Sequence, residues 1–367
     1  MDLLVTVEEA ALPDLLWDSG TAYDFFMSLS VLHKPADFGV RGAWAAGVRA
    51  RLPVAEREML EQSLLLVHMP LHWIHSLPDP KDAIAVLYNL GQVPPAQRLP
   101  LLALLPDECQ DGHEILKEVA ARGRWDEGDR EALQAASWCQ ESRKGLSSEE
   151  QEVLLDWWAR AGEFGDRYLE ALHAYYEVFF AEEERRIRPV LEEALAQAQD
   201  LAGDLALPDL LEELSQGLRF AEMPDAAELV LVPSFWITPL VLFGQVSEER
   251  AMWLFGARPS DLSLVPGEAV PDAMLRSLKA LSDPTRLRIL HYLAQEPLTP
   301  ADLARRLRLR APTVTHHLKA LRLAGLVQVT LGEGKEVRRY AARTEAVQRT
   351  FASLQGFLDR AQGEGPG

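Results

Sequence analysis

Cysteine is nearly absent from this chain: Cys109 and Cys139 are the two thiols in 367 residues. Two thiols cannot build a disulfide framework, and no paired-cysteine metal site can be written from them. Uncharged apolar runs are short, none approaching the ~20 residues a membrane-spanning helix requires. The opening MDLLVTVEEAALPD carries acids where a signal peptide has a basic start. These absences predict a cytoplasmic protein with no membrane association. Residues 1–271 also lack a phosphate-cradling glycine loop and a nucleophile elbow, so neither an enzyme nor a cofactor is expected. Internal repeats and low-complexity tracts are missing too.

Charge is abundant and unevenly placed. The whole chain has 37 basic and 56 acidic side chains, a net of -19. Residues 1–271 hold 21 basic and 47 acidic groups, whereas residues 272–345 hold 14 basic and 7 acidic. A basic module on an acidic body can attract phosphate through one face while the remainder is repelled. The acidity can equally serve to keep a large helical domain soluble.

From Thr21 to Gly203 the pattern is mostly helical. Proline breaks are expected at Pro53, Pro70, Pro78, Pro94 and Pro100, and a kink at Pro189. The cluster Glu182-Glu183-Glu184-Arg185-Arg186 suits a solvated face with i,i+3 and i,i+4 pairs. After Gly217 the character changes. The stretches beginning at Glu228 and Thr238 read as two buried strands, and Ala251-Met-Trp-Leu-Phe-Gly as a third. Ser260 to Pro271 reads as a linker. The fold class is therefore mainly α with small β elements. A helical N-terminal domain (1–216) is followed by a short β segment and linker (217–271), a DNA-binding module (272–343), and a C-terminal helix and tail (344–367).

The module is the most explicit part. Ser282-Asp283-Pro284 opens a helix with Asp283 as N-cap, leaving Leu287, Leu290 and Leu293 on one face. Thr299-Pro300-Ala301-Asp302 starts a second, close to a capping box, with Leu303 and Leu307 inward. Arg305, Arg306, Arg308 and Arg310 follow, available to phosphates. The third helix begins near Pro312 and turns Val314, Leu318 and Leu321 to the core. At about 100° per residue His316 then points away from the core, with Thr313 and Lys319 around it and Thr315 and His317 on the flanks. Small polar side chains and an imidazole suit base edges, and Lys319 suits phosphate. Gly325 ends the helix. Val327–Leu331 and Glu336–Tyr340 then form a hairpin around Gly332-Glu333-Gly334-Lys335, made basic by Lys335, Arg338 and Arg339. Three capped helices and a basic hairpin spell a winged helix-turn-helix.

The stretches LSDPTRLRILHYL, LARRLRLRAPTVTHHLKALRLAGLV and GEGKEVRRYA closely resemble the ArsR class of bacterial winged-helix repressors. The resemblance implies that the helix starting near Pro312 is the recognition helix, carrying Thr313, Thr315, His316 and His317. It also implies a homodimer paired through flanking helices. Leu275–Leu281 and the stripe Val347, Phe351, Leu354 and Leu358 fit that role, unless the C-terminal helix packs on its own subunit. Metal-sensing members carry a cysteine pair in the helix that is Asp302–Leu307 here, or Asp/His ligands in the C-terminal helix. This chain has neither cysteines in the former nor histidine in the latter, so metal sensing by those routes is not expected. The long N-terminal part, with Ala174-Tyr-Tyr-Glu-Val-Phe-Phe and LVLVPSFW, is similar to a long subset of these regulators whose extra domain has no assigned function.

Within residues 1–271, His68, His72 and His75 have a spacing that can bind zinc on an unbroken helix, but Pro70 interrupts it and the setting is apolar. Buried, satisfied histidines are the better reading, and no metal is expected. All nine tryptophans precede the DNA-binding module, and a domain rich in them can enclose a pocket for an apolar or aromatic effector. The expected function is a sequence-specific DNA-binding repressor that meets a double-stranded operator as a dimer, its N-terminal domain sensing a small molecule. Two alternatives remain: an acidic domain that docks a protein partner, or an enzyme fused to a DNA-binding module.

Overall fold

The computed structural model describes residues 12–104, 111–136, 146–220, 226–267, 270–331 and 338–363. Cys109, Trp138, Cys139 and Lys335 lie outside these residues. No helix among them is long and apolar enough to cross a membrane.

The fold is mainly helical with small β elements. Helices Thr21–His33, Gly42–Arg49, Val54–Leu66, Leu71–Ser76, Ala83–Gln92 and Pro95–Ala103 come first. Asp111–Arg122, Glu127–Ala135, Ser148–Ala159 and Ala161–Tyr175 follow. A π-helical turn, Tyr176–Phe180, leads into the long helix Ala181–Asp204, and Leu207–Leu214 closes the helical part. Local chemistry sets the starts. Ser147 and Glu150 form a capping box, as do Asp126 and Asp129, and Asp82 accepts from the Ala85 amide.

One proline behaves differently from expectation: Pro100 lies inside Pro95–Ala103 rather than breaking it, while Pro189 lies within the long helix Ala181–Asp204. Irregularity appears at Tyr176–Phe180, where the widened turn directs Phe179 and Phe180 into the core. Gly165 permits a close crossing of Ala161–Tyr175 over Pro95–Ala103. A Cβ there would stand 2.0 Å from the Pro95 carbonyl oxygen, and that same crossing is tied by Arg98 Nη1 donating to the Gly165 carbonyl at 3.0 Å.

Among the described residues, seven strands are distributed over two sheets. They are β1 (Asp14–Trp17), β2 (Leu218–Phe220), β3 (Glu228–Ser234), β4 (Leu242–Gln245), β5 (Arg250–Gly256), β6 (Val327–Leu331) and β7 (Arg339–Ala342). The first sheet has the order β1-β3-β5-β4, with β1, β3 and β5 parallel and β4 antiparallel to β5. Its central strands are apolar on both sides, as a parallel sheet covered on two faces demands. Val230, Val232, Met252 and Leu254 face the main helical core. Leu229, Leu231, Trp253 and Phe255 pack under Ala198, Leu210 and Leu211. The stretch from Thr238, expected as a buried strand, becomes strand only at Leu242. It forms an edge, and Phe243 there is 44% exposed. The turn that holds Thr238–Pro239 takes up its first residues.

Helices Asp272–Leu281, Pro284–Leu293, Pro300–Leu307 and Ala311–Leu323 precede β6 and β7, and Thr344–Gly363 follows them. The second sheet is ordered β2-β6-β7. β6 and β7 are antiparallel, and β2 adds to the free edge of β6 in parallel, Leu218 opposite Val329 and Phe220 opposite Leu331. The helical part thus lends a strand to the C-terminal module. This pairing also occupies an edge that would otherwise present unpaired backbone groups.

Candidate nucleic-acid interface

The helix-turn-helix is assembled by caps and one buried cluster. Asp283 accepts from the Arg286 amide at 2.9 Å, starting Pro284–Leu293. Thr299 and Asp302 complete a reciprocal capping box at Pro300–Leu307. Arg308 then takes a left-handed conformation at φ 56°, which turns the chain into Ala311–Leu323. Gly325, at φ 67°, ends that helix as its sequence position indicates. Ile289, Leu290, Leu293, Leu303, Leu307, Val314, Leu318, Leu321, Leu326 and Val327 close the core. Leu287, expected on the inner face of its helix, is instead 48% exposed, because Ile289 supplies the inward contact. Leu298 exchanges backbone hydrogen bonds with Tyr340 of β7, both at 2.9 Å, fastening the start of the helix pair to the hairpin.

With Val314, Leu318 and Leu321 buried, the opposite face of Ala311–Leu323 is left to solvent. Arg310, Thr313, Thr315, His316 and Lys319 are all exposed, as are Arg338 and Arg339 at the hairpin. Lys335 falls outside the described residues. His317 is half-buried, and its Nδ1 is shielded from solvent without a hydrogen-bond partner. Its ring centroid lies 5.9 Å from that of His316, nearly edge-on. The Thr315 hydroxyl donates to the Ala311 carbonyl of its own helix at 3.1 Å. The structure therefore leaves a run of short polar groups, an imidazole and four cations open to solvent on the helix and the hairpin.

Of the arginines before this helix, two are already engaged. Arg305 pairs with Asp302, and Arg306 pairs with Glu296 at 2.6 Å while lying over the Tyr292 ring. Arg308 and Arg310 are exposed.

Three side chains, Lys319, Arg322 and Arg343, make contacts that the sequence does not indicate. Lys319 Nζ lies 2.6 Å from Oδ1 of Asp37, in the short 3-10 turn Pro35–Asp37 of the helical part. Arg322 donates to the Ser215 and Gln216 carbonyls at 2.8 and 3.2 Å, and Arg343 to the Gln216 carbonyl at 2.7 Å. Burial, followed by the neighbouring charge of Arg343, pulls the Arg322 guanidinium down to about 10. Both arginines hold the end of Leu207–Leu214, where Gln216 (φ 56°) and Gly217 (φ 100°) reverse the chain into β2. The available signal was positional: Arg322 follows Leu318 by four residues and so borders the buried stripe.

The three spaced histidines do not converge. His72 Nε2 bonds the Leu101 carbonyl at 2.8 Å, and His75 Nδ1 bonds Asp18 at 2.6 Å. His68 lies before Pro70, outside the helix Leu71–Ser76. Among the described residues no group of three or more His, Cys, Asp or Glu side chains is placed to hold a metal ion.

The C-terminal helix packs against Asp272–Leu281 and buries Ala346 and Thr350, while Val347 is partly covered. Phe351 and Leu358 remain 55% and 49% exposed.

Comparison with known proteins agrees with this geometry. Residues 283–329 match the family described as "Bacterial regulatory protein, arsR family". Over 82 residues the chain is 42% identical to the HTH-type transcriptional regulator CmtR of Mycobacterium tuberculosis (strain ATCC 25618 / H37Rv), spanning 22% of this chain and 68% of that protein. It is 39% identical over 82 residues to the transcriptional repressor SdpR of Bacillus subtilis (strain 168), spanning 22% of this chain and 89% of that one. A winged helix-turn-helix that shares this sequence over most of the length of both relatives makes the chain a DNA-binding transcriptional regulator, and it belongs to the arsR family of bacterial regulatory proteins.

Proposed function

We propose that the protein is a homodimeric, sequence-specific repressor. Residues 272–343 read a double-stranded DNA operator, residues 344–367 pair two copies, and residues 1–216 with the β segment 217–271 take in a small-molecule signal. The observation that carries this reading is the exposed polar face of Ala311–Leu323. Thr313, Thr315, His316 and the rim of His317 lie where a helix entering the major groove offers side chains to base edges. Arg310, Lys319, Arg338 and Arg339, all exposed, are assigned to phosphate contacts that set register without reading sequence, and Lys335 is assigned to them from its sequence position.

Exposed Phe351 and Leu358 on the C-terminal helix give two copies an apolar stripe to bury. A two-fold then sets two readers in successive major grooves, about one helical turn apart. The input role of residues 1–271 is supported by how they meet the reader. They contribute β2 to its sheet, carbonyls to Arg322 and Arg343, and Asp37 to Lys319. A ligand that favours one arrangement of these contacts shifts DNA affinity by its own preference between the two states.

Selection of fragments from a bacterial genomic library by the full-length protein tests the reading. The expected result is enrichment of an inverted repeat, bound far more tightly than its scrambled version at the same salt. Equal affinity for selected and scrambled duplexes overturns it.

A further inference from the structure

Three adjoining hollows lie along the junction between the helical part and the DNA-binding module, and Gln216 borders all of them. The smallest, about 80 Å³, is enclosed by Thr238 and Arg258 on one side and by Ala273, Arg276 and Leu323 on the other. It shares Arg258, Pro259 and Gln216 with a cleft of about 390 Å³ that runs past Phe255, Ala198 and Leu201.

Arg258 is the unusual residue of this junction. It is only 6% exposed, and one guanidinium nitrogen, Nη2, donates to the Thr238 carbonyl at 3.1 Å. Nη1 is buried with no hydrogen-bond partner. A guanidinium keeps its charge in proteins, so an unused donor on it is costly to bury. Asp272 and Glu183 attract the Arg258 guanidinium, which lies over the Phe235 ring at 5.4 Å, but none of them accepts a hydrogen bond from Nη1. Glu183 is taken by Arg186, and Asp272 accepts from the Leu264 amide. The other charged side chain lining the small cavity is Arg276, a second cation. Burial first, and then the charge of Arg276, pulls Arg258 down to about 9. Two cations, Arg258 and Arg276, thus line one small cavity, and Nη1 of Arg258 is an unused donor there.

We propose that this junction binds a small organic monocarboxylate, its carboxylate seated between Arg258 and Arg276 and its apolar body lying along Phe255 and Leu201. This deepens the proposed sensing role of residues 1–271 and rests on it. A carboxylate supplies the acceptor that Nη1 lacks, in the forked geometry that guanidinium favours. A cavity of about 80 Å³ admits a group of that size, and the cleft is within the ordinary range for ligand sites. Exposed Glu193 and Glu213 border the cleft and repel a second negative charge, which selects against dianions and polyphosphates.

The position also supplies the coupling. Leu323 and Ala324, at the end of the helix proposed to read DNA, form one wall of the small cavity, and Arg258, just after β5, forms another. Filling it biases how the two parts sit against each other.

The test titrates benzoate and octanoate into the full-length protein by calorimetry, with benzamide and octanamide as uncharged controls. One or both carboxylates are expected to bind at least tenfold more tightly than their amides. Arg258→Gln is expected to lose that preference and Arg258→Lys to keep part of it. Ala273→Leu, which fills the small cavity and keeps the Arg258 side chain, is expected to lose binding while staying folded. Equal binding of acid and amide, or undiminished carboxylate binding in both Arg258→Gln and Ala273→Leu, overturns the site. Native mass spectrometry of parent and Arg258→Gln, each mixed with an extract of bacterial metabolites, separates the two readings. An adduct on both proteins refutes this site and keeps a sensor. No adduct on either, with no response to the carboxylates, refutes both.

Discussion

Lys319 Nζ of the helix Ala311–Leu323 lies 2.6 Å from Asp37 Oδ1 of the helical part, both side chains being about half exposed. If Lys319 serves DNA phosphate, Asp37 competes for it, and the acidic body touches the reader at the place where its charge matters most. Asp37→Ala is expected to tighten binding to all duplexes alike, by a few-fold. Lys319→Ala is expected to weaken all of them and to lower the salt slope by about 1. An exposed pair contributes under about 1 kcal/mol to stability, so neither change should move the melting temperature appreciably. Fluorescence anisotropy over a salt series reads both effects. Weaker binding by Asp37→Ala shows that the contact positions the helix rather than competing with DNA.

His316 lies on the exposed face of the same helix, and the role proposed for it differs in kind from that proposed for Lys319. Replacement by alanine is expected to cost about 1–3 kcal/mol on the selected operator and little on scrambled DNA. Arg338→Ala should instead weaken both equally. Equal losses for His316→Ala on both duplexes contradict base reading.

Arg322 and Arg343 fasten the DNA-binding module to the end of Leu207–Leu214 through three carbonyl hydrogen bonds. Removing the Arg322 guanidinium leaves the Ser215 carbonyl without its donor. Arg322→Met is expected to destabilise by about 2–4 kcal/mol and to split one calorimetric transition into two. Gly217→Ala should act similarly, since its φ of 100° disfavours a side chain and a Cβ there would approach Arg343 Cδ to 2.8 Å. A single unshifted transition in both variants shows that the junction does not couple the two parts.

How well each element could be read from sequence depended on how local its causes were. The caps at Asp283 and Thr299, the left-handed Gly325 and the stripe Val314, Leu318, Leu321 are decided by residues within one or two turns, and all were legible. Leu287 was misplaced because a helix of ten residues offers two overlapping apolar stripes, and only the tertiary partners choose between them. Strand β1 was missed for a similar reason. Asp14–Trp17 is four residues long and becomes a strand by lying beside Glu228–Leu231, more than two hundred positions away. Long separation also hides Asp37 beside Lys319 and β2 beside β6, the latter pair more than one hundred positions apart. Arg258 could not be singled out at all, because its burial and its unpaired nitrogen arise from elements brought together only by the fold.

Asp24 gives the structure a measurable response to acid. Its carboxylate is fully buried in Thr21–His33, accepting from the Ser234 hydroxyl at 2.7 Å and from the Phe235 and Trp236 amides at 3.0 and 2.9 Å. Burial pushes its pKa up to about 6, outweighing the three donors. The folded protein therefore holds this proton between about pH 4 and 6, where the unfolded chain, near 3.8, has released it. Stability from this group is greatest below the unfolded value and falls as pH rises through that window, by roughly 2–3 kcal/mol. Asp18 runs the other way. Burial raises it, but hydrogen bonds from His75, Lys81 and Tyr23 prevail and lower it, so its contribution is lost as pH falls below about 4. Denaturant unfolding of the parent and Asp24→Asn at pH 4.5, 5.5 and 7 isolates the first effect. The parent is expected to lose ground against the variant with rising pH, because only the parent gives up a buried proton. A constant difference across the three values would mean that Asp24 titrates as an ordinary carboxylate, its three donors having fully offset its burial.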